Sequence, residues 1–471
     1  MNPQVLSGAI SFIESWMRFQ SERSGMPGFV IAINVDGKTV LQEGYGYANL
    51  ETKEKMTPQH LFRVASHSKT FAATALMQLQ EQGKLRIDDP VVQYLPWLAE
   101  HDDQRMKKVT IRQLMSHSAG MIRDGLDGDY WQRLRPFPNL EQLKKETMEA
   151  HLVLDSNVQM KYSNFGYSLL GLIIEAASGQ TFKEYVEKNV LQPLDLKDTG
   201  VEFDNKIVDR LVTGYTRRDL NKQRKPLDKA ISTEGMVAAT GFYSTAENLC
   251  RYFNAHIVGS GKLLSDESKR EMQRSHFRIT NTKLHREYTL GFGVEVTSHR
   301  RLFGHGGGWP GQITRTLCDP EQRIVVCVLT NSIDGDALAM CKGIFSVFDQ
   351  FEYSSEQASK RSLGDFARYE GRYMNLWDIS DIIQCGDKLI SFSPLSWAPF
   401  AEDIFELEYV DDTTFKVAKC EGYSEVGELV HFNFDKQGKV ESIRFGPGTI
   451  WPEKKYMDRL AEADTAQALK V

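Results

Sequence analysis

Four consecutive residues, Ser66-His67-Ser68-Lys69, put two hydroxyls, an imidazole and an amine into one short stretch of chain. A serine hydroxyl is a weak nucleophile until a neighbouring base accepts its proton, so the chemistry depends on which serine meets which base. Phe71, Ala75 and Leu79 recur at i, i+4 and i+8 with Leu76 beside them, and Gly83 follows the last turn, which predicts a helix over 66–82. Residues three apart share a helix face, whereas neighbours diverge by about 100°. Ser66 is thus the serine that reaches Lys69, and His67 faces elsewhere. Burial and a helix N-terminus both lower a lysine pKa, as a base partner requires. The same N-terminus offers the backbone N–H of Ser66 to a developing oxyanion. Alone, Ser-x-x-Lys fits an N-capping serine and a solvated lysine better than it fits a catalytic pair, so other residues must decide.

Two further groups bear on this. Tyr162-Ser163-Asn164 lies just before a helix predicted to start near Phe165, and His305-Gly306-Gly307-Gly308 lies between predicted strands. Tyr-x-Asn recurs at Tyr47, Tyr252 and Tyr373, but only the copy at Tyr162 stands at a helix start within the helical middle of the chain. Three glycines in a row at a strand edge suit a place where backbone must approach a ligand closely. His117, in LMSHSAG, is expected to close a helix near the cleft, with Gly120 as the C-terminal cap. Trp309-Pro310 is expected either to wall a substrate pocket or to stiffen its loop.

The elements that would carry these residues follow from pattern. GFVIAINVDGKTVLQEGYGYAN, from Gly28, is two alternating runs around Asp36-Gly37, a hairpin signature. Strand character returns after Tyr288, in TLGFGVEV and in QITRTLCDPEQRIVVCVLTN, and a helix is predicted from Asp334 to about Phe351. Strands at both ends with helices between predict an α/β domain built on one antiparallel sheet with a helical insertion. SSEQASKRSLGDF, from Ser354, reads as a linker. The short alternating runs beyond it predict an up-and-down β-barrel or sandwich.

Composition narrows the partners. The 471 residues carry a formal net charge of -6, with no basic run that would track phosphates, which argues against nucleic acid. No apolar run approaches the ~18 residues of a membrane span. The N-terminal MNPQVLSGAISFIESWMRFQ reads as an amphipathic helix, not as a signal peptide. The six scattered cysteines form no CxxC and no zinc-ligand spacing, so they are expected to be reduced, as in a cytoplasmic enzyme.

The ordered set Ser66-x-x-Lys69, Tyr162-x-Asn164 and His305-Gly306-Gly307 resembles the three-motif site of the serine β-lactamase and penicillin-binding-protein superfamily. More narrowly it is similar to the branch holding class C β-lactamases, D-aminopeptidases and related esterases. FRVASHSKTFAATALMQLQEQG, IRQLMSHSAGM, MKYSNFGYSLLGLIIEAASGQTF and FGHGGGWPG carry the likeness over roughly residues 20–350. The resemblance implies an antiparallel sheet flanked by helices, with an all-helical subdomain at about 85–240 and the site in the cleft. It implies that Ser66 is the nucleophile, Lys69 its base partner and Tyr162 the acid or base serving the leaving group. Asn164 would bond Lys69 and the substrate amide. His305, Gly307 and Gly308 would line the substrate, with the Gly308 N–H as second oxyanion donor. No metal or cofactor is implied.

His305 stands where β-lactamases carry the lysine of a Lys-Thr-Gly triple. A histidine is a weaker fixed cation, which favours peptidase or esterase action over β-lactamase action. The domains expected are 1–352 for the hydrolase, 353–365 for the linker and 366–471 for a barrel resembling the lipocalin-like domain of some D-amino-acid-specific peptidases. The function implied is a serine acyl hydrolase acting on a small peptide containing D-residues. An esterase or weak β-lactamase, a penicillin sensor without turnover, and a binding barrel beside an inert front domain are the alternatives. A homo-oligomer is compatible with all of these.

Overall fold

A computed structural model describes residues 2–279, 286–297, 299–357, 366–400, 404–420, 425–446 and 448–468. The chain divides into two compact units, one of residues 24–341 and one of residues 1–23 with 342–471.

The first unit is built on a nine-stranded antiparallel sheet. The hairpin of Gly28–Val35 and Lys38–Asn49 turns at Asp36 (φ 49°) and Gly37 (φ 79°), as the Asp-Gly pair predicts. Its first strand pairs with Ile324–Thr330, from Phe29 opposite Thr330 to Val35 opposite Ile324. Gln312–Asp319, Arg301–Trp309 and Gly293–Val296 continue the sheet, so its centre joins the two ends of the unit's sequence. Every residue of IVVCVLT is buried, which is why this strand reads as an unbroken apolar run and not as an alternation. The helix Ala246–Ala255 packs on the two central strands, with Cys250 Sγ 3.4 Å from the Ala32 carbonyl.

The last two strands at one end of the sheet, Arg286–Tyr288 and the edge strand Phe277–Ile279, were not expected; at three residues each they are too short to show a period. The helical middle is also less uniform than expected. Between 85 and 240 short helices alternate with turns, and Gly214–Tyr215 pairs with Pro226–Leu227 as a small ribbon.

The helix carrying Lys69 runs Ser68–Glu81, behind a 3₁₀ turn over Ala65–His67, so the helical start is two residues later than the periodicity suggests. All residues from Ser68 to Leu79 are buried. The helix lies against Asn164–Ser178 and Val237–Thr240 and is the axis of the helical layer.

In the second unit eight antiparallel strands, from Gly371–Met374 to Gly448–Pro452, close into a barrel through the pairing of the first with the last. Tyr369, Phe415, Phe432 and Ile443 fill its core. The helix Pro3–Ser24 belongs to this unit and buries Phe12, Ile13, Trp16 and Met17; Gln20 Nε2 donates to the Pro394 carbonyl at 2.7 Å. The helix Ala337–Gln357 occupies the start of the expected linker, and residues 358–365 of that linker lie outside the described residues. Among the described residues the cysteines are free, no helix is long and apolar enough to cross a membrane, and no cluster of metal-ligating side chains occurs.

Candidate active site

Ser66 sits in the tight turn that feeds the helix Ser68–Glu81, on the positive end of its dipole. The turn is strained: Ala65 has φ 43°, where a residue with a Cβ pays on the order of 1–3 kcal/mol. Ser68 holds it shut. Its Oγ donates to the Ala65 carbonyl at 2.6 Å and accepts the Phe242 N–H at 3.1 Å, so both of its hydrogen bonds go to backbone of the turn and its neighbour. His67 is buried, with Nδ1 3.1 Å from the Val64 carbonyl and Nε2 3.0 Å from Thr316 Oγ1, and burial brings its pKa down to about 3.

Three of the expected residues meet at Ser66 Oγ. Lys69 Nζ lies 3.0 Å from it and the Tyr162 hydroxyl donates to it at 2.9 Å. Lys69 Nζ also donates to Asn164 Oδ1 and to the Ala239 carbonyl, each at 2.7 Å. Burial pulls the Lys69 amine well below the usual lysine range; the Asp124 carboxylate opposes this and the Arg123 charge reinforces it. A neutral amine has two N–H donors and one lone pair. The two carbonyl oxygens can only accept, so they take the N–H groups and the lone pair is left for the Ser66 hydroxyl proton. Tyr162 is shifted the other way: burial raises its pKa, outweighing the Ser66 hydrogen bond, so its phenol stays protonated.

Asn164 begins the helix Asn164–Ser178, with Ser163 as the N-cap accepting from the Gly166 N–H. Its amide orientation is set by Asp124, whose Oδ1 accepts from Asn164 Nδ2 at 2.5 Å and from Trp131 Nε1 at 2.9 Å. Asp124 therefore turns Asn164 Oδ1 toward Lys69. Nothing in the sequence singled out Asp124, because it lies in an aperiodic loop.

His117 does close a helix, but differently from expectation. The helix Ile111–Met115 ends in the bonds Ser118 N–H to Gln113 O and His117 N–H to Leu114 O, with His117 itself in the left-handed conformation at φ 58°. Gly120, also left-handed at φ 78°, comes later and packs against the Leu154 carbonyl instead. A histidine in a glycine's place is explained by what its ring does. His117 Nδ1 accepts the Ser163 N–H at 3.1 Å, its carbonyl accepts the Lys161 N–H at 2.7 Å, and its ring lies 4.1 Å from that of Tyr162. His117 thereby holds the backbone on either side of Tyr162 and packs on its ring.

The glycine run is part of the strand Arg301–Trp309 and not a loop between strands. A Cβ on Gly307 would come within 2.1 Å of the Val64 carbonyl, so this glycine makes room for the chain leading to Ser66. Gly308 is exposed and has no close neighbour for a Cβ. Ser66, Tyr162, His305, Gly307 and Gly308 line one cavity of about 460 Å³. His305 contributes wall and no charge: Nδ1 donates to the Gly306 carbonyl at 2.7 Å, Nε2 accepts from the Tyr288 hydroxyl at 3.1 Å, and burial followed by the Lys69 charge holds its pKa well below the usual value. Trp309 does not line the cavity. It is buried, stacked on Phe137 at 5.7 Å, with the Arg63 guanidinium 4.1 Å from its ring, and so stiffens the strand end.

The same chain shares its fold with proteins of known structure. It is similar to an octameric penicillin-binding protein homologue from Pyrococcus abyssi, at 23% identity and a TM-score of 0.64 over 94% of this chain and 99% of that one. It is also similar to a D-stereospecific amidohydrolase from Streptomyces sp., at 23% identity and a TM-score of 0.59 over 69% of this chain and 95% of that one. Among curated sequences it is 24% identical over 322 residues to protein flp of Staphylococcus aureus (strain MW2), covering 68% of this chain and only 62% of that protein's length. A beta-lactamase family profile matches residues 13–340, a span that holds the Ser66, Tyr162 and His305 motifs, and the chain belongs to the beta-lactamase family.

Proposed function

We propose that this protein is a serine acyl hydrolase working through an acyl-enzyme on Ser66, with peptides containing D-residues as substrates. The observation that carries the reading is the placement of Ser66 Oγ between Lys69 Nζ at 3.0 Å and the Tyr162 hydroxyl at 2.9 Å. Lys69 takes the Ser66 proton as Oγ attacks the carbonyl carbon. The oxyanion is met by the backbone N–H groups of Ser66 and Gly308. Tyr162 gives its proton to the leaving nitrogen as the C–N bond breaks, which leaves a phenolate beside the Lys69 ammonium. Water then attacks the ester, Tyr162 takes its proton, and the departing Ser66 Oγ recovers a proton from Lys69. Every group returns to its starting state, and no cofactor enters the cycle.

The D-residue preference has its support in the fold shared with a D-stereospecific amidohydrolase. Its test is a pair of short peptides, one with a D-residue on the acyl side of the scissile bond and one all-L. Selective release from the D-peptide is expected; equal release, or release from the L-peptide alone, removes the preference. By the same fold likeness, to a protein described as octameric, we include a homo-oligomer in the proposal.

Tyr162→Phe is expected to lower kcat on an amide by on the order of 10²–10⁴, the scale of a lost acid–base group. The loss should shrink on an aryl ester, whose phenolate departs without a proton. Equal losses on both would take the proton donation away from Tyr162.

A further inference from the structure

We infer that Asp124 is a positioning residue with a second duty: acting through Asn164, it is the counter-ion of the Lys69 ammonium that forms when Ser66 gives up its proton. The inference deepens the acyl-transfer reading above and rests on it. In that cycle Lys69 begins as a neutral amine and carries a positive charge from the attack of Ser66 until its Oγ departs again. A charge that forms in a buried site is unfavourable unless an opposite charge already stands near it.

Asn164 makes the link. Its Oδ1 accepts from Lys69 Nζ at 2.7 Å and its Nδ2 donates to Asp124 Oδ1 at 2.5 Å, so one side-chain amide joins the amine to the carboxylate. Groups in such a chain polarise one another. The negative charge of Asp124 draws the amide dipole into the direction that deepens the negative charge on Oδ1, where the ammonium sits. Trp131 Nε1 donates to the same Asp124 oxygen at 2.9 Å and fixes it. The loop is pinned as well: the Arg123 carbonyl accepts the Asn164 N–H at 2.8 Å, and the Ile122 carbonyl accepts from Ser163 Oγ at 2.7 Å. The arrangement has the logic of a serine–histidine–aspartate triad, whose buried carboxylate orients the base and stabilises its protonated form without taking the proton. Here one amide stands between.

Asp124 is ion-paired on its other side, where Arg123 Nε donates to Oδ2 at 2.9 Å. That pairing weakens the carboxylate without cancelling it. The Arg123 side chain is 60% exposed, so water screens its charge, whereas Asp124 is 17% exposed and turns Oδ1 toward Asn164. Burial is the largest influence on the Lys69 amine and lowers its pKa; Asp124 comes next and raises it, and Arg123 follows and lowers it. The other groups around Lys69 bring no charge. Burial keeps His117 and His305 neutral and the phenols of Tyr162 and Tyr167 protonated. The helix Val237–Thr240 contributes the Ala239 carbonyl and has no charged residue. The glutamates that line the cavity, Glu287 and Glu295, are paired with Arg301 at 3.1 Å and Arg315 at 2.9 Å.

The test is made on the full chain and has two readouts. The first is the titration of Lys69 itself, followed by the ¹³C shift of its Cε in protein labelled on lysine, the signal being the one absent from Lys69→Arg. Asp124→Asn keeps an oxygen that can accept from Asn164 but removes the charge, so Lys69 should lose its proton at lower pH. Arg123→Gln removes the opposing charge and should move the titration to higher pH. A titration that stays in place in Asp124→Asn, or moves the same way in both variants, overturns the counter-ion role, since a carboxylate that only orients Asn164 is replaced by the amide oxygen. The second readout is the pH dependence of kcat/KM on 4-nitrophenyl acetate, an ester open to any acyl transfer to Ser66. Its rising limb should move with the titration in each variant, and the plateau in Asp124→Asn should fall by about tenfold to a hundredfold, the range for a hydrogen bond to a charged group. A midpoint does not depend on how much of a preparation is folded. A Lys69 titration that shifts as expected while the kinetic limb stays put removes Lys69 as the base and overturns the acyl-transfer reading, with the pairing of Lys69 and Asp124 upheld.

Discussion

Ser66→Ala is expected to lower kcat by on the order of 10⁶, the scale of removing a serine nucleophile from a cooperating set, while leaving the fold intact. The side chain it removes shares hydrogen bonds with Lys69 Nζ and the Tyr162 hydroxyl. Ser68→Ala is the paired experiment and should give the reverse result. It frees the Ala65 carbonyl and leaves the buried Phe242 N–H without a partner, at a cost of about 1–3 kcal/mol in stability. Most of the activity per folded molecule should remain. Thermal unfolding and initial rates on the same preparations separate the two. The reverse pattern, an active Ser66→Ala and a dead Ser68→Ala, would show that the turn at Ala65 presents the other hydroxyl to substrate. A labelled acyl group recovered on the peptide containing Ser66 gives the same answer independently of rates.

What could be read from the sequence was what is local or ordered along the chain. The three-residue spacing of Ser66 and Lys69 fixes their shared face whatever the rest of the fold does, and the order of the motifs at 66, 162 and 305 supplied the sheet, the helical layer and the family. The hairpin at Asp36-Gly37 was legible because its turn chemistry is local. The supporting groups were not. The carbonyl of Ala239, which takes one of the two Lys69 N–H bonds, has no side-chain signature at all. Asp124 and Arg123 lie in a loop whose position is set by bonds to residues some 40 positions away. The left-handed residue after the helix Ile111–Met115 was assigned to Gly120 by propensity, whereas tertiary contacts with Tyr162 and Ser163 put His117 there. The glycine run pointed to a ligand, and what the sequence did not show is that Gly307 also makes room for the chain's own Val64 carbonyl.

The sharpest consequence concerns the protonation state of Lys69. If its lone pair faces Ser66, kcat/KM should rise with pH as Lys69 loses its proton. Burial places that ionisation well below the ordinary lysine value. Below the folded pKa the amine is an ammonium and cannot accept, so the acid side is the inactive one. On the alkaline side the group to lose is the Tyr162 proton, and burial raises its pKa above the ~10 of a free tyrosine. The profile should therefore be a single rise followed by a plateau extending beyond pH ~10, for as long as the protein stays folded. Lys69→Arg separates charge from basicity. Its guanidinium keeps a cation near Ser66, but it cannot be deprotonated in a protein, so a fall on the order of 10⁴ is expected at every pH, at the upper end for a lost base. Because Ser66 and Lys69 act on one proton, adding Lys69→Arg to Ser66→Ala should cost almost nothing further. An arginine variant within about tenfold of the unaltered protein, or a descending alkaline limb near the free-tyrosine value, would mean that Lys69 serves as a fixed charge. The base would then be Tyr162, and its hydrogen bond to Ser66 Oγ would have to run in the opposite direction during the attack.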